Sequence, residues 1–163
     1  MPPDRLLTNW PFPAYAHVPG KTPHPHSDPK GHRHPTPDVE PSDAELWRRC
    51  PAYLHGIDLF DAGYYWEAHE AWEQLWHAVG RRGPDAEFVK GLIQLAVAGV
   101  KHRQAMPESM RWHAKRATEL LPACRKPIYR GIMVDVLIAG AMDVAAGDWP
   151  ATWLLPIVGN LAT

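Results

Sequence analysis

The sequence is poor in cysteine, in excess charge and in uninterrupted apolar segments. Cys50 and Cys124 are the only cysteines among its 163 residues, and they form neither a CxxC pair nor a zinc-finger pattern. Two reduced thiols are typical of a cytoplasmic protein. The formal net charge of −1 offers no basic surface for the phosphates of DNA or RNA. We therefore predict a cytoplasmic protein that binds no nucleic acid.

Long apolar segments are missing as well. The stretch from Ile132 to Ala146 contains Asp135 and Asp143, and it is too short and too charged to span a bilayer. The first residues lack the apolar core of a secretory signal, and no polybasic cluster indicates membrane binding. We expect no membrane contact. The chain also lacks a phosphate loop, a dinucleotide fingerprint and a Ser-His-Asp signature.

Proline divides the chain into two regions. Residues 1–42 hold 11 of the 18 prolines and 5 of the 10 histidines. Proline has no backbone donor and restricts the residue before it, so this segment cannot be helical. It also carries Trp10, Phe12 and Tyr15, whereas disordered segments are usually poor in aromatic residues. We therefore predict an extended Pro/His-rich arm over residues 1–42, part of which docks on a single helical domain over residues 43–163.

The apolar pattern after Ser42 is helical, and Ser42 and Glu45 are spaced like a capping box. Prolines begin and glycines end several of the predicted helices. The predicted helices cover residues 51–60, 64–79, 84–104, 107–122 and 127–147. Five helices with short connections indicate an all-α antiparallel bundle. Because the third and fifth helices are apolar on most sides, we expect them to be central.

The second predicted helix carries the most informative segment, Trp66 to Glu73. It places three glutamates and one histidine within seven residues. His69 and Glu73 form an i, i+4 pair at the edge of the core face, and Glu70 lies three residues from both Glu67 and Glu73. Ionised carboxylates this close repel one another, so a compensating partner is expected. A divalent cation, a basic residue from another helix, or plain solvation would each satisfy that need.

Several side chains are expected to line a pocket beside this acidic segment, because aromatic rings there would exclude water. The third helix carries one polar stripe, formed by Lys90, Gln94 and Lys101. A lysine that faces the glutamates would neutralise them without metal. His102 is either a hydrogen-bonded core residue or a ligand. Asp135 is predicted to be buried in the fifth helix and to need a partner. The pocket-lining candidates are Trp66, Trp72, Trp76, Gln94 and Lys101.

The arm contains a second candidate site. His24 and His26 are two residues apart, so on an extended chain their rings would point the same way and hold one ion. His32 and His34 repeat that spacing, and Asp28 adds a carboxylate oxygen. The arm is either a flexible tail with weak metal affinity or a segment that folds across the acidic helix and completes a site.

The segment from Phe60 to Trp76, followed by Lys90-Gly91-Leu92-Ile93-Gln94-Leu95-Ala96, resembles the bacterial and archaeal domain-of-unknown-function family numbered 309. The resemblance runs from about Tyr53 to Lys101, and the arm resembles an extension found in some proteobacterial members. It implies a compact α-helical fold and the label of a predicted metal-dependent hydrolase. The motif positions carried over are Glu67, His69, Glu70, Glu73 and Trp76. Members commonly have Asn where this chain has Asp61, and many have an aromatic residue where it has Lys101.

Two functional hypotheses follow. In the first, the protein is a metal-dependent hydrolase of a small-molecule substrate, in which His69 with Glu73 or Glu70 holds a divalent ion (zinc, manganese or iron). The ligands that would complete the site are His24, His26, Asp28, His32 or His102, and Glu70 or Glu67 would act as general base on a bound water. In the second, the protein is a non-enzymatic helical module or homodimer whose acidic helix is a structural or partner-binding surface. We also expect the protein to be a homo-oligomer.

Overall fold

A computed structural model describes residues 4–40 and 46–159, so the predicted capping box at Ser42 and Glu45 lies outside the described residues. The fold is predominantly helical, as predicted. Short 3₁₀ turns lie at Trp47–Arg49 and Leu121–Cys124. The α-helices of the described part are α1 (Pro51–Asp61), α2 (Tyr65–Ala78), α3 (Pro84–Arg103), α4 (Pro107–Leu120) and α5 (Val134–Ala145).

Proline and glycine set the boundaries of the first four helices. Proline occupies the first turn of α1, α3 and α4, where its missing N–H would have had no helical partner. Gly63 and Gly80 follow α1 and α2 with φ of +84° and +88°, a backbone conformation that favours glycine. The connections are short, and each helix packs against the next, which produces the predicted bundle.

Helix α3 is central, because it packs between α2 and α4 and is buried along most of its length. Glycine allows the close approach of its neighbours. A Cβ atom at Gly99 would lie 2.4 Å from the ring of Tyr65 on α2, and one at Gly56 of α1 would lie 2.2 Å from Nε1 of Trp72. Substitution at either position would force these helices apart.

Helix α5 differs from its prediction in both position and start. It begins at Val134 rather than at Pro127. It lies at the edge of the fold, with Val136 and Met142 more than half exposed, so the prediction of a central fifth helix is wrong. Asp135 is exposed in its first turn, where a carboxylate complements the helix dipole. The predicted burial of Asp135 is therefore also wrong.

The residues before α5 form a hairpin of β1 (Ile128–Tyr129) and β2 (Ile132–Met133). Arg130 and Gly131 make its two-residue turn, with φ of +49° and +76°, as in the primed turns that suit tight hairpins. The C-terminal segment extends this sheet, since Met133 N–H donates to the Pro156 carbonyl. A two-residue strand is too short to show alternation of apolar and polar residues, which explains why the sequence pattern indicated helix here.

The N-terminal arm lies along α1 and α2. Its start is held by Asp58 of α1, whose two carboxylate oxygens accept the N–H groups of Leu6 and Leu7 at 2.7 and 2.8 Å. Further along, the arm folds back on itself, and Arg33 N–H donates to the Pro25 carbonyl. The arm is therefore not extended throughout. Within residues 4–40 and 46–159, no helix combines the length and the hydrophobicity needed to cross a membrane.

Candidate functional site

The arm brings its histidines onto the glutamates of α2. Trp66 lies at the centre of the outer part of this contact between the arm and α2. The ring centroids of His17, His24, His26 and His69 lie between 4.8 and 6.1 Å from that of Trp66. We call this region the junction cluster. Its members are His17, His24, His26, His32 and His34 of the arm, His55 of α1, and Glu67, His69, Glu70 and Glu73 of α2.

Glu67 is the buried carboxylate of the junction cluster, with 5% of its surface exposed. Its Oε1 accepts the backbone N–H of His17 at 2.7 Å and contacts Nε2 of His32 at 3.1 Å. Its Oε2 is buried without a hydrogen-bond partner. Burial raises the pKa of Glu67 to about 7, against the opposing effect of the His17 hydrogen bond. Glu67 therefore lies near the point at which it exchanges a proton at neutral pH.

His32 is engaged at both ring nitrogens. Nδ1 accepts the backbone N–H of His34 at 3.0 Å, so in the neutral ring the proton is on Nε2, which donates to Glu67. Only 1% of the side chain is exposed. Burial, and after it the nearby His26, lowers the pKa of His32. The neutral imidazole of His32 therefore holds Glu67 in place.

The outer histidines are also engaged. His26 Nε2 lies 3.4 Å from Glu70 Oε1, and His69 Nε2 lies 3.8 Å from Glu73 Oε1. His69 Nδ1 lies 2.5 Å from the Trp66 carbonyl oxygen, and His24 Nδ1 accepts the backbone N–H of His26 at 3.2 Å. The contact of His26 with Glu70 fastens the arm to α2, and the hydrogen bond to His24 Nδ1 fastens the arm to itself.

A small cavity lies beneath the arm, between α1 and α2. Its volume is about 10 Å³, and His34, His55 and Glu67 are among its lining residues, so it has room for about one water molecule or ion. His55 is 1% exposed, and neither of its ring nitrogens has a hydrogen-bond partner. Burial, followed by the charges of His34 and Arg5, lowers the pKa of His55 to about 3. His55 is thus neutral at physiological pH.

His34 presents one free nitrogen to this region. Its Nε2 is buried without a hydrogen-bond partner, while the ring makes a hydrogen bond to the backbone of Pro11. Since Pro11 offers only a carbonyl, that bond comes from Nδ1–H, and the lone pair of Nε2 is left available. Burial lowers the pKa of His34, which favours this neutral form.

Two predicted ligands lie in other environments. His102 stacks on Trp149, with ring centroids 4.8 Å apart, beside a separate cavity that Met106 and Met110 also line. None of the other residues that line this cavity belongs to the junction cluster. Asp28 remains in the arm, but its Oδ1 accepts the N–H of Lys30 at 2.8 Å and so stabilises a turn.

Three predicted lining residues also differ from expectation, because they belong to the helix packing. Trp72 is fully buried, and its indole N–H donates to the Tyr53 carbonyl at 3.3 Å. Gln94 Oε1 accepts a hydrogen bond from Nδ1–H of His113 on α4 at 2.6 Å. Burial, and after it the charge of Lys101, lowers the pKa of the same His113. Lys90 lies over the ring of Trp76, 4.6 Å from its centroid, rather than over the glutamates.

The sequence patterns missed two members of the junction cluster and an anchor. His17 has no partner histidine two residues away and so gives no signal in the sequence, although its N–H holds Glu67. His55 lies in an apolar stretch of α1, where a lone histidine gives no signal of its own. Asp58, which anchors the arm, is likewise indistinguishable from a surface residue. Their roles depend on contacts with chain segments more than 20 residues away.

The chemical groups of the junction cluster are those that bind transition metals, namely neutral imidazoles and carboxylates. Among residues 4–40 and 46–159, however, no group of three or more His, Cys, Asp or Glu side chains is already spaced to hold a metal ion. The fit to a metal depends instead on the buried, unpartnered atoms of Glu67, His34 and His55. Side chains with unsatisfied buried polar atoms require a partner.

The fold and the site define a small helical protein in which a histidine-rich arm closes over a glutamate-rich helix. Residues 53–113 match the family described as Domain of unknown function (DUF309). The match covers most of α1, all of α2 and α3 and the first half of α4, and it confirms the family resemblance that the motif predicted for this part of the chain. The arm lies outside the matched residues. A comparison with curated proteins finds none that matches the chain.

Proposed function

We propose that the protein binds a divalent transition-metal ion where the arm meets α2, and that it uses the ion in a hydrolytic reaction on a small-molecule substrate. The observation that carries the proposal is Glu67. This carboxylate is buried, fixed at Oε1 by two donors and left without a partner at Oε2. Burying such a group is costly unless the remaining oxygen is bound.

The candidate ions are zinc, manganese and iron, as predicted from the ligand types. A bound ion of this kind would lower the pKa of a coordinated water and so supply a nucleophile. Among the chain's own residues, Glu70 is the better candidate for general base. It is partly exposed, whereas Glu67 is held by His17 and His32.

The arm would provide the dry environment that such chemistry requires. It covers Glu67 and places Trp66 among four histidine rings. Excluding water strengthens every charge interaction in the site. Entry of a substrate would require the arm to move, because the cavity beneath it has a volume of only about 10 Å³.

Elemental analysis of protein purified without a tag or a metal column tests this function. We expect near-stoichiometric zinc, manganese or iron in the intact protein and much less in Glu67→Gln. Glutamine keeps the size of the side chain and one acceptor but removes the charge. Glu87→Gln, in the exposed first turn of α3, is the matched control and should keep the metal. Wild-type protein without metal, or Glu67→Gln with as much as wild type, would contradict the proposal.

A second function is favoured by the contacts of His26 with Glu70 and of His32 with Glu67. In this alternative, the acidic helix is a structural surface for the arm in a non-enzymatic module or homo-oligomer. It predicts metal-free protein in which Glu67→Gln loosens the arm. The homo-oligomer stays a prediction, and light scattering of the purified protein measures it.

A further inference from the structure

Several nitrogen and oxygen atoms of the arm and of the exposed side of the junction cluster already have hydrogen-bond partners. His32 uses both ring nitrogens, and His24 Nδ1 accepts two backbone N–H groups. The Asp28 carboxylate accepts the N–H of Lys30. An ion bound by these residues would first have to break the hydrogen bonds that shape the arm.

The inner side of the cluster is different. Within the part of the chain that the structure describes, Nε2 of His34, both ring nitrogens of His55 and Oε2 of Glu67 are buried without hydrogen-bond partners. All three residues line the same small cavity. His34 and His55 also contact each other directly, with ring centroids 5.9 Å apart. Unpartnered buried polar atoms are uncommon in folded proteins, and several around one cavity point to an occupant.

We propose that this cavity is an inner metal site, in which Nε2 of His34, one ring nitrogen of His55 and Oε2 of Glu67 hold one divalent transition-metal ion. The assignment rests on the proposed function and places the ion beneath the arm rather than among the outer histidines. Two imidazoles and one carboxylate form a zinc-type ligand set that leaves a coordination position open. Magnesium and calcium prefer sites made of oxygen ligands.

The surroundings of these three residues resemble the supporting contacts of known metal ligands. A ligand histidine usually donates its second N–H to a carbonyl or carboxylate, which fixes the ring and directs the other nitrogen to the ion. The bond of His34 to Pro11 has this form. Glu67 is supported in the same way at Oε1 by His17 and His32. His32 is then a positioning residue and not a ligand.

The ligand atoms must move together for the ion to bind, since they are not spaced around one point. His55 is the side chain best able to move, because its ring has no hydrogen bond to lose. It lies among the rings of Trp10, Phe12 and His34, which allow it to turn without separating polar partners. All three of these rings belong to the arm, so binding would couple the arm to α1.

Zinc uptake by the intact, untagged protein after chelator treatment tests the assignment. The variants are His34→Ala and His55→Leu, with His26→Ala to probe the outer histidines and His77→Ala as the control. His77 is an exposed histidine of α2 outside the junction cluster. We expect both inner variants to lose stoichiometric zinc and to bind added zinc at least about tenfold more weakly. His77→Ala should bind like wild type. Melting temperature without metal serves as the folding control, and His55→Leu should hold its stability because it removes unsatisfied polar atoms.

The outcomes separate the assignment from the function on which it rests. If wild type takes up none of zinc, manganese and iron, the proposed function and the inner site both fail. If wild type binds zinc and the two inner variants bind it equally well, only the inner site is overturned. Loss of zinc in His26→Ala alone would move the ion to the outer histidines. Should His55→Leu fail to fold, His34→Ala decides the result, because it alters the arm rather than the core.

Discussion

Asp61 shows how burial controls a single carboxyl group in this fold. It lies at the end of α1, and its Oδ1 accepts the N–H of Leu155 at 2.8 Å. Burial raises the pKa of Asp61 to about 7, the hydrogen bond from Leu155 lowers it, and the charge of Asp58 raises it. The folded protein therefore binds a proton at Asp61 that the unfolded chain releases at lower pH.

We predict that Asp61→Asn removes a pH-dependent loss of stability. Because the pKa of Asp61 is raised in the folded state, protonated Asp61 contributes to the stability of the fold. This contribution to the free energy of unfolding is fully present below the unfolded pKa near 4 and is lost as pH rises to about 7. Asparagine keeps the acceptor for Leu155 but does not titrate. The free energy of unfolding of Asp61→Asn relative to wild type should increase between pH 4 and pH 7, by roughly 1–3 kcal/mol after allowance for solvent screening.

Urea denaturation at several pH values measures this difference. Asp38→Asn is the control for the loss of one negative charge, since Asp38 is an exposed carboxylate of the arm outside any helix. A constant difference for Asp61→Asn across the range would show that Asp61 is not buried as described.

At the scale of elements, the arm behaves as part of the fold because Asp58 holds its beginning. Asp58 is 4% exposed, and its two oxygens accept separate backbone N–H groups. Arg5 lies 3.8 Å away and adds a favourable charge. This pairing fixes the arm on α1 before it reaches α2.

We predict that Asp58→Asn destabilises the protein by about 1–3 kcal/mol, because the amide offers one acceptor where two N–H groups need one each. Chemical denaturation followed by intrinsic fluorescence provides the measurement, since Trp10 lies in the anchored segment. Asp38→Asn changes an exposed carboxylate on the same arm and should leave stability within about 0.5 kcal/mol of wild type. Equal stability of the two variants would mean that Asp58 does not anchor the arm.

The elements differ in how far the sequence predicts them. Proline at helix starts and glycine at helix ends are local signals, so α1 to α4 follow from them closely. The hairpin before α5 depends on Arg130 taking a positive φ, which its residue type does not indicate. The exposed position of α5 depends on which neighbours cover it, and its apolar composition alone indicated a central helix.

At the scale of the whole molecule, the site depends on contacts between distant parts of the chain. Glu67 meets residues 50 and 35 positions away, and His34 meets His55 across the arm and α1. The sequence showed that Glu67, Glu70 and the arm histidines were candidates, since their types and spacing are local. The sequence did not show that both ring nitrogens of His32 would form hydrogen bonds while Nε2 of His34 would not. That difference depends on the backbone turn between the two residues.

The measurement that tests the shared site most directly is the rate at which trypsin cleaves the arm. Lys30 and Arg33 are exposed arm residues, whereas Arg81 and Arg82 lie in the exposed α2–α3 connection and serve as an internal control. We predict that zinc added to chelator-treated protein slows arm cleavage by about tenfold or more, because an ion bound by both arm and helices stabilises the closed form. Magnesium should have little effect. Arm cleavage at the same rate with and without zinc would contradict a metal site shared by the arm and the helices.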